Sequence, residues 1–269
     1  MLGVIGAINE EVEAIISEMS EIKKEITLGM TFYIGKFMGK DIVFVQSGIG
    51  KVNAAITATI LIERYSVEKV IFSGVAGSLD ERMKIGDVVI GTDIVQHDVD
   101  ATEFGYKKGQ IPQVSVWSFK SDIDLIEKSK KIKNKNLKLF YGRVITGDQF
   151  INKKDDKIKL GLEFEALCVD MESGAVAQVC YKLNKKFLDL ELQKPNIDWD
   201  TLSFKCTQQM KDRYKEFNVD MIIKLCEKTK NIFKKNNYSL QSFKLYKEKT
   251  NKKYYENNKQ KKGIDTMTP

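Results

Sequence analysis

Two glutamates stand where a folded chain could put a carboxylate to work. Glu172 follows Met171, at the point where the apolar run Leu167-Cys168-Val169 passes through Asp170 into Ser173-Gly174-Ala175-Val176-Ala177. An apolar run meeting a small-residue stretch reads as a buried strand entering a helix. A carboxylate at that junction can accept two hydroxyl donors from a sugar, and such bonds strengthen as positive charge develops on the ring. Glu11 stands just past the first short apolar run, residues 2–8. Open α/β sheets present ligand groups there, outside the carboxyl ends of their strands. In a purely structural role Glu172 would complement a helix dipole, and Glu11, like Glu10, would be a solvated acid in a first helical turn.

Other motifs narrow the chemistry. Gly48-Ile49-Gly50-Lys51 looks like a phosphate cradle but lacks the spacing and the Lys-Ser/Thr ending of a P-loop. Gly77, closing Gly74-Val75-Ala76-Gly77, lets the backbone approach a ligand where a Cβ would intrude. His97 is the only histidine, which excludes a His-based triad and a multi-His metal site, and it reads as a structural hydrogen-bonder. Cys168, Cys180, Cys206 and Cys226 form no CxxC pair, so they read as reduced, buried thiols.

The elements that must position these groups alternate between strand and helix. Residues 2–8 read as a buried strand, and Asn9 as the cap of a helix carrying Val12, Ile15 and Ile16. Residues 30–38 and 40–47 form a hairpin turning at Gly39-Lys40, and an apolar helix runs from Val52 to about Tyr65. Strands follow at 67–73, 85–91 with β-character continuing over 94–97, and 139–146; helices fall near 121–133 and 173–183. This alternation predicts an α/β fold with parallel pairs, and the hairpins make its sheet mixed. The N-terminus carries no basic segment followed by a long apolar run, and no stretch approaches ~20 apolar residues, so the chain reads as soluble and cytoplasmic.

Composition divides the chain. Residues 181–269 carry 21 Lys and Arg against 11 Asp and Glu, and Gly263 is the only one of 18 glycines among them. The basic balance therefore belongs to the tail and is not a nucleic-acid signature of the whole chain. In Phe187-Leu188-Asp189-Leu190-Glu191, charges at alternate positions suit an edge or exposed strand rather than a central one. Residues 219–235 read as an amphipathic helix, and the Lys/Asn-rich stretch beyond Asn236 as weakly ordered. We expect three parts: an α/β domain over 1–187, a divergent segment over 188–235, and a disordered tail over 236–269.

Seven segments in order resemble the methylthioadenosine/S-adenosylhomocysteine nucleosidases of the nucleoside phosphorylase superfamily. They are Gly6-Ala7-Ile8-Asn9-Glu10-Glu11-Val12, Ser47-Gly48-Ile49-Gly50-Lys51-Val52-Asn53, Gly74-Val75-Ala76-Gly77, Ile85-Gly86-Asp87-Val88-Val89, His97–Thr102 with Phe104-Gly105-Tyr106, Gly147-Asp148-Gln149-Phe150-Ile151-Asn152, and Val169-Asp170-Met171-Glu172. The resemblance implies a three-layer α/β sandwich with a mixed central sheet, a homodimer, and no cofactor or metal. It implies hydrolysis of 5′-methylthioadenosine and S-adenosylhomocysteine with release of adenine. Glu11 would then be the general base for water, while Glu172 and Met171 hold the ribose. Phe150 would stack on adenine and the Ile151 backbone would read its edge, with Ile8, Ile49, Val75, Ala76 and Gly77 lining the pocket. Phe104 and Tyr106 would cover the thioether end from the dimer partner. Phosphorylases of the superfamily carry an arginine shortly after the first strand; Asn9-Glu10-Glu11 offers two carboxylates that repel phosphate, so water is the expected nucleophile.

The resemblance stops near Phe187. In the family the next strand ends in Ser-Asp, whose aspartate protonates the purine N7; here an ungapped strand puts Lys194-Pro195 in those places and Glu191 where the family has arginine. General-acid catalysis is worth ~10²–10⁴ in rate, so the loss is large unless Asp198, three residues on, substitutes. A frameshift or fusion after about Phe187 is the hypothesis that the joint loss of glycine, apolar pattern and motif suggests. Two further readings remain open: a degenerate paralogue that binds adenine nucleosides with little turnover, and polyanion binding by the tail. Residues 228–262 hold 12 Lys and 2 Glu among aromatics. A lysine-rich stretch of unselected sequence has the same composition.

Overall fold

A computed structural model describes residues 1–6, 16–84, 86–131 and 138–194. Two hairpins begin the described chain: β2 (Met19–Thr27) with β3 (Met30–Phe37), and β3 with β4 (Lys40–Gln46). Their two-residue turns, Leu28-Gly29 and Met38-Gly39, are left-handed at both positions, the geometry that matches strand twist. β1 (Leu2–Gly6) lies between β4 and β5 (Lys69–Ser78), parallel to both. The expected strands at 85–91 and 94–97 are one continuous strand, β6 (Val88–Gln96), which pairs with the short β7 (Phe119–Lys120) and with β8 (Leu139–Thr146). β9 (Ala166–Asp170) runs parallel to β8 and meets the end of β5 antiparallel, Gly77 opposite Val169.

β10 (Lys186–Lys194) corrects the expectation of an edge strand. It pairs parallel with β5 and antiparallel with β6, closing the circuit β5–β10–β6–β8–β9. It also runs through the boundary expected at 187/188. Leu188, Leu190 and Leu192 enter an apolar cluster with Val4, Ile71 and Ile90. On the other face Asp189, Glu191 and Gln193 are buried as well. Alternating acids face water only when one side of a strand is wet, and here neither side is.

Four helices among the described residues cover the sheet. In α1 (Lys51–Tyr65), Ala54, Thr57, Ala58, Leu61 and Ile62 are buried, the i, i+3, i+4, i+7, i+8 stripe of an amphipathic helix. It packs with α4 (Ser173–Lys182) in a cluster holding Val176, Phe72 and Phe187. α2 (Ile123–Lys130), capped by the Asp122 carboxylate accepting the Leu125 N–H at 3.1 Å, contributes Leu125 to the opposite face. α3 (Lys154–Phe164) sets Phe164 against Val95 and Ile145. Helices on both faces of a mixed sheet make the three layers expected. Among the described residues, no helix is long and apolar enough to cross a membrane.

Candidate functional site

The loops that follow β4, β6, β8 and β9 converge on Glu172. Asp170, the last residue of β9, sets the turn before it. Its carboxylate accepts the Thr146 hydroxyl, the Ser173 N–H at 2.6 Å and the Glu172 N–H at 3.2 Å. Thr146 Oγ1 in turn accepts the Gly174 N–H at 2.8 Å. The start of α4 is thereby satisfied by a buried network rather than by water, and Glu172 occupies the residue before the helix. Burial pushes the Asp170 carboxyl up, and the bonds from Thr146, Ser173 and Glu172 oppose it.

Glu172 is buried and tied across the site. Its Oε1 accepts the Gly50 N–H at 2.8 Å, and Oε2 accepts the Met171 N–H at 3.3 Å. Gly50 sits at φ 97°, ψ 157°, a region open essentially to glycine, where it aims its N–H at the carboxylate while starting α1. The Lys51 N–H beside it donates to Asp148 Oδ1 at 2.8 Å. Asp98 Oδ1 takes the Lys51 ammonium at 2.7 Å, and Asp98 Oδ2 takes the Asp148 N–H at 2.9 Å.

Of the residues singled out in the sequence, several meet here. Gly77 lies against Val169, and a Cβ on it would stand 4.0 Å from the Ile151 carbonyl oxygen. Ala76 is buried and Val75 and Met171 are half-buried, whereas Ile49 and Phe150 present 58% and 54% of their surface. Phe104 is exposed. Ile8, Glu11 and Asp198 lie outside the described residues, as do the amphipathic segment and the tail. The His97 ring packs near Phe164, and its Nε2 has no hydrogen-bond partner among the described residues. Burial lowers its basicity. Cys168 and Cys180 are free and buried; burial drives Cys168 well up and Cys180 to about 12. Among the described residues no group of three or more His, Cys, Asp and Glu could hold a metal.

The motif segments were legible in the sequence, but the Asp170 network and the Lys51–Asp98–Asp148 contacts were not. Their partners are scattered along the chain, and only the sheet's topology joins them.

Comparison with known proteins bears on this arrangement. A phosphorylase superfamily model matches residues 1–191. The 5′-methylthioadenosine/S-adenosylhomocysteine nucleosidase of Staphylococcus haemolyticus is 42% identical over 190 residues, 70% of this chain and 83% of that protein. The chain belongs to this nucleosidase family. Among solved nucleosidase structures, that from Colwellia psychrerythraea in complex with adenine has a TM-score of 0.69 at 38% identity, covering 71% of this chain and 81% of its own. The nucleosidase of Streptococcus pneumoniae with the transition-state inhibitor MT-ImmA has a TM-score of 0.69 at 33% identity, covering 72% and 85%. The superfamily match ends at Glu191, inside β10.

Proposed function

We propose that the chain hydrolyses the N-glycosidic bond of 5′-methylthioadenosine and S-adenosylhomocysteine in the cytoplasm, releasing adenine without cofactor or metal. The observation that carries this reading is the buried Glu172 carboxylate, fixed by the Gly50 N–H where the strand ends meet. Breaking the bond builds positive, oxocarbenium-like charge on the ribose, and a preorganised carboxylate stabilises that charge without reorganising. Glu172 takes the ribose hydroxyls and Met171 packs against the sugar. Glu11 draws the proton from the attacking water on the face opposite the base. Phe150, whose exposed ring projects from the loop after β8, stacks on adenine, and the Ile151 backbone reads the base edge. Ile8, Ile49, Val75, Ala76 and Gly77 line the pocket. Asp198 supplies the proton to N7.

The chain acts as a homodimer in this reading. Ile49, Val52, Ile56 and Phe104 are exposed apolar residues, and a groove of about 410 Å³ between α1 and α4 is lined by Val52, Ala55, Val179 and Leu183. A second copy covers such a surface, and Phe104 then reaches the thioether end of the partner's ligand.

Product analysis tests the reaction. Hydrolysis predicts methylthioribose from methylthioadenosine at a rate indifferent to inorganic phosphate. Formation of methylthioribose 1-phosphate would overturn the assignment of water as nucleophile. One observation favours a second reading, a binder with little turnover: β10 reaches Lys194 with Asp189 and Glu191 buried in the sheet rather than with an acid at its end. Adenine binding without release from Asp198→Asn and wild type alike would support it.

A further inference from the structure

Glu172 is held by a backbone N–H, and something must hold that backbone. Gly50 has no side chain to anchor it, and the segment leading into α1 is exposed at Ile49 and Val52. Its neighbour Lys51 is the anchored residue. The Lys51 N–H donates to Asp148 Oδ1 at 2.8 Å, its ammonium to Asp98 Oδ1 at 2.7 Å, and the Asp148 N–H to Asp98 Oδ2 at 2.9 Å. Three bonds thus close a ring through three loops, those after β4, β6 and β8. The Lys51 and Asp98 side chains are only 17% and 16% exposed, so the ion pair is shielded from solvent far more than a surface pair is.

We propose that Lys51, Asp98 and Asp148 are positioning residues for the ribose carboxylate: their ring fixes Gly50, and Gly50 fixes Glu172. The proposal rests on the reading of Glu172 as the group that holds the ribose. Burial alone would push the Asp98 carboxyl up, but the Lys51 ammonium and the Asp148 N–H bring it below its ordinary value, so Asp98 stays ionised across the neutral range. A Cβ on Gly50 would stand 3.2 Å from Asp148 Oδ1, so the ring and the glycine are packed as one unit. The Asp98–Asp148 bond also supports the loop that carries Phe150 and Ile151, so only the Lys51 ammonium, which bonds Asp98 and not that loop, has an influence confined to the sugar.

That confinement supplies the test. The full-length protein is titrated with 5′-methylthiotubercidin, whose 7-deaza base cannot take a proton at N7 and so is not cleaved by this route. A second titration uses 7-deazaadenine, the same base without ribose. Lys51→Met removes the ammonium and leaves the Lys51 N–H–Asp148 and Asp148 N–H–Asp98 bonds in place. The expected result is a nucleoside affinity lower by roughly tenfold, the scale of one charge-assisted hydrogen bond, with base affinity unchanged. Lys51→Arg should restore most of the loss. A general loosening of the fold would lower both affinities together, and that result, or no change in either, overturns the proposal. Glu172→Gln separates the two layers of the argument. If it weakens the nucleoside alone while Lys51→Met does not, only the positioning ring is wrong. If Glu172→Gln leaves the nucleoside-to-base ratio unmoved, the ribose reading fails and takes the proposal with it.

Discussion

Replacing Asp189 with asparagine should change how stability depends on pH. Asp189 is fully buried at the centre of β10, between β5 and β6, and its carboxyl oxygens make no well-formed hydrogen bond among the described residues, only loose contacts with Glu191 and the Leu190 N–H. Burial drives its carboxyl well above 3.8, Asp170 across from it pushes the same way, and the neighbouring Glu191 carboxyl on its own strand opposes them. Cys168, the other titratable group facing this cluster, is held neutral by burial. Of the two aspartates Asp189 keeps the proton, because Asp170 is the one that accepts the Thr146 hydroxyl and two N–H groups.

The folded chain therefore holds a proton that the unfolded chain releases near pH 3.8. Stability from this group is fully present below that value and falls as pH rises toward the folded pKa, by about 1.4 kcal/mol per pH unit for one proton. The asparagine variant has no proton to lose at this position, and its amide could donate to Glu191. Chemical denaturation of wild type and Asp189→Asn at about pH 5, 6 and 7 reads the difference. The variant should gain on wild type as pH rises above 3.8 toward the folded pKa. Parallel pH curves would refute the claim that Asp189 is folded as the neutral acid.

Three further outcomes follow from the same packing. Arg143 holds the buried Asp93 carboxylate at 2.9 Å, with Lys120 at 3.5 Å as an exposed second cation, so Arg143→Met should cost about 3 kcal/mol near neutral pH. Burial alone would raise the Asp93 carboxyl and Arg143 brings it down, so the penalty should shrink in acid, where the unpaired carboxyl is protonated; a constant penalty would contradict this. A Cβ at Gly91 would stand 2.7 Å from Asp189 Oδ2, so Gly91→Ala should cost about 1–3 kcal/mol and Asp189→Ala should recover part of it in a double-mutant cycle. Gly50→Ala forces φ 97° on a residue with a Cβ, at a cost of order 1–3 kcal/mol, and should weaken nucleoside binding as measured by calorimetry.

Much of this fold was legible where periodicity is strong. The helix read from Val52 to Tyr65 is α1 with one residue added, and the strand read at 139–146 is β8 as it stands. Elements whose buried residues are few were not legible. β2 buries only Met19 and turns its charges to solvent, and α3 buries only Lys157 and Phe164 among polar residues. β10 was misread for the opposite reason, since its acids are buried on a face that pattern alone assigns to water. The site divides likewise. Met171-Glu172 announced itself through a local change from apolar to small residues, whereas Asp170's three donors come from β8 and the start of α4. A motif names such residues, but only the register of β8 with β9 makes them partners.

The most direct measurement is the initial rate of adenine release from 5′-methylthioadenosine by the full-length chain, beside Glu172→Gln and Glu11→Gln. The account predicts release by wild type, a fall of ~10²–10⁴ without the base at Glu11, and a clear loss without the carboxylate held by Gly50. Release that is equal in all three proteins, or absent from folded wild type, would contradict it.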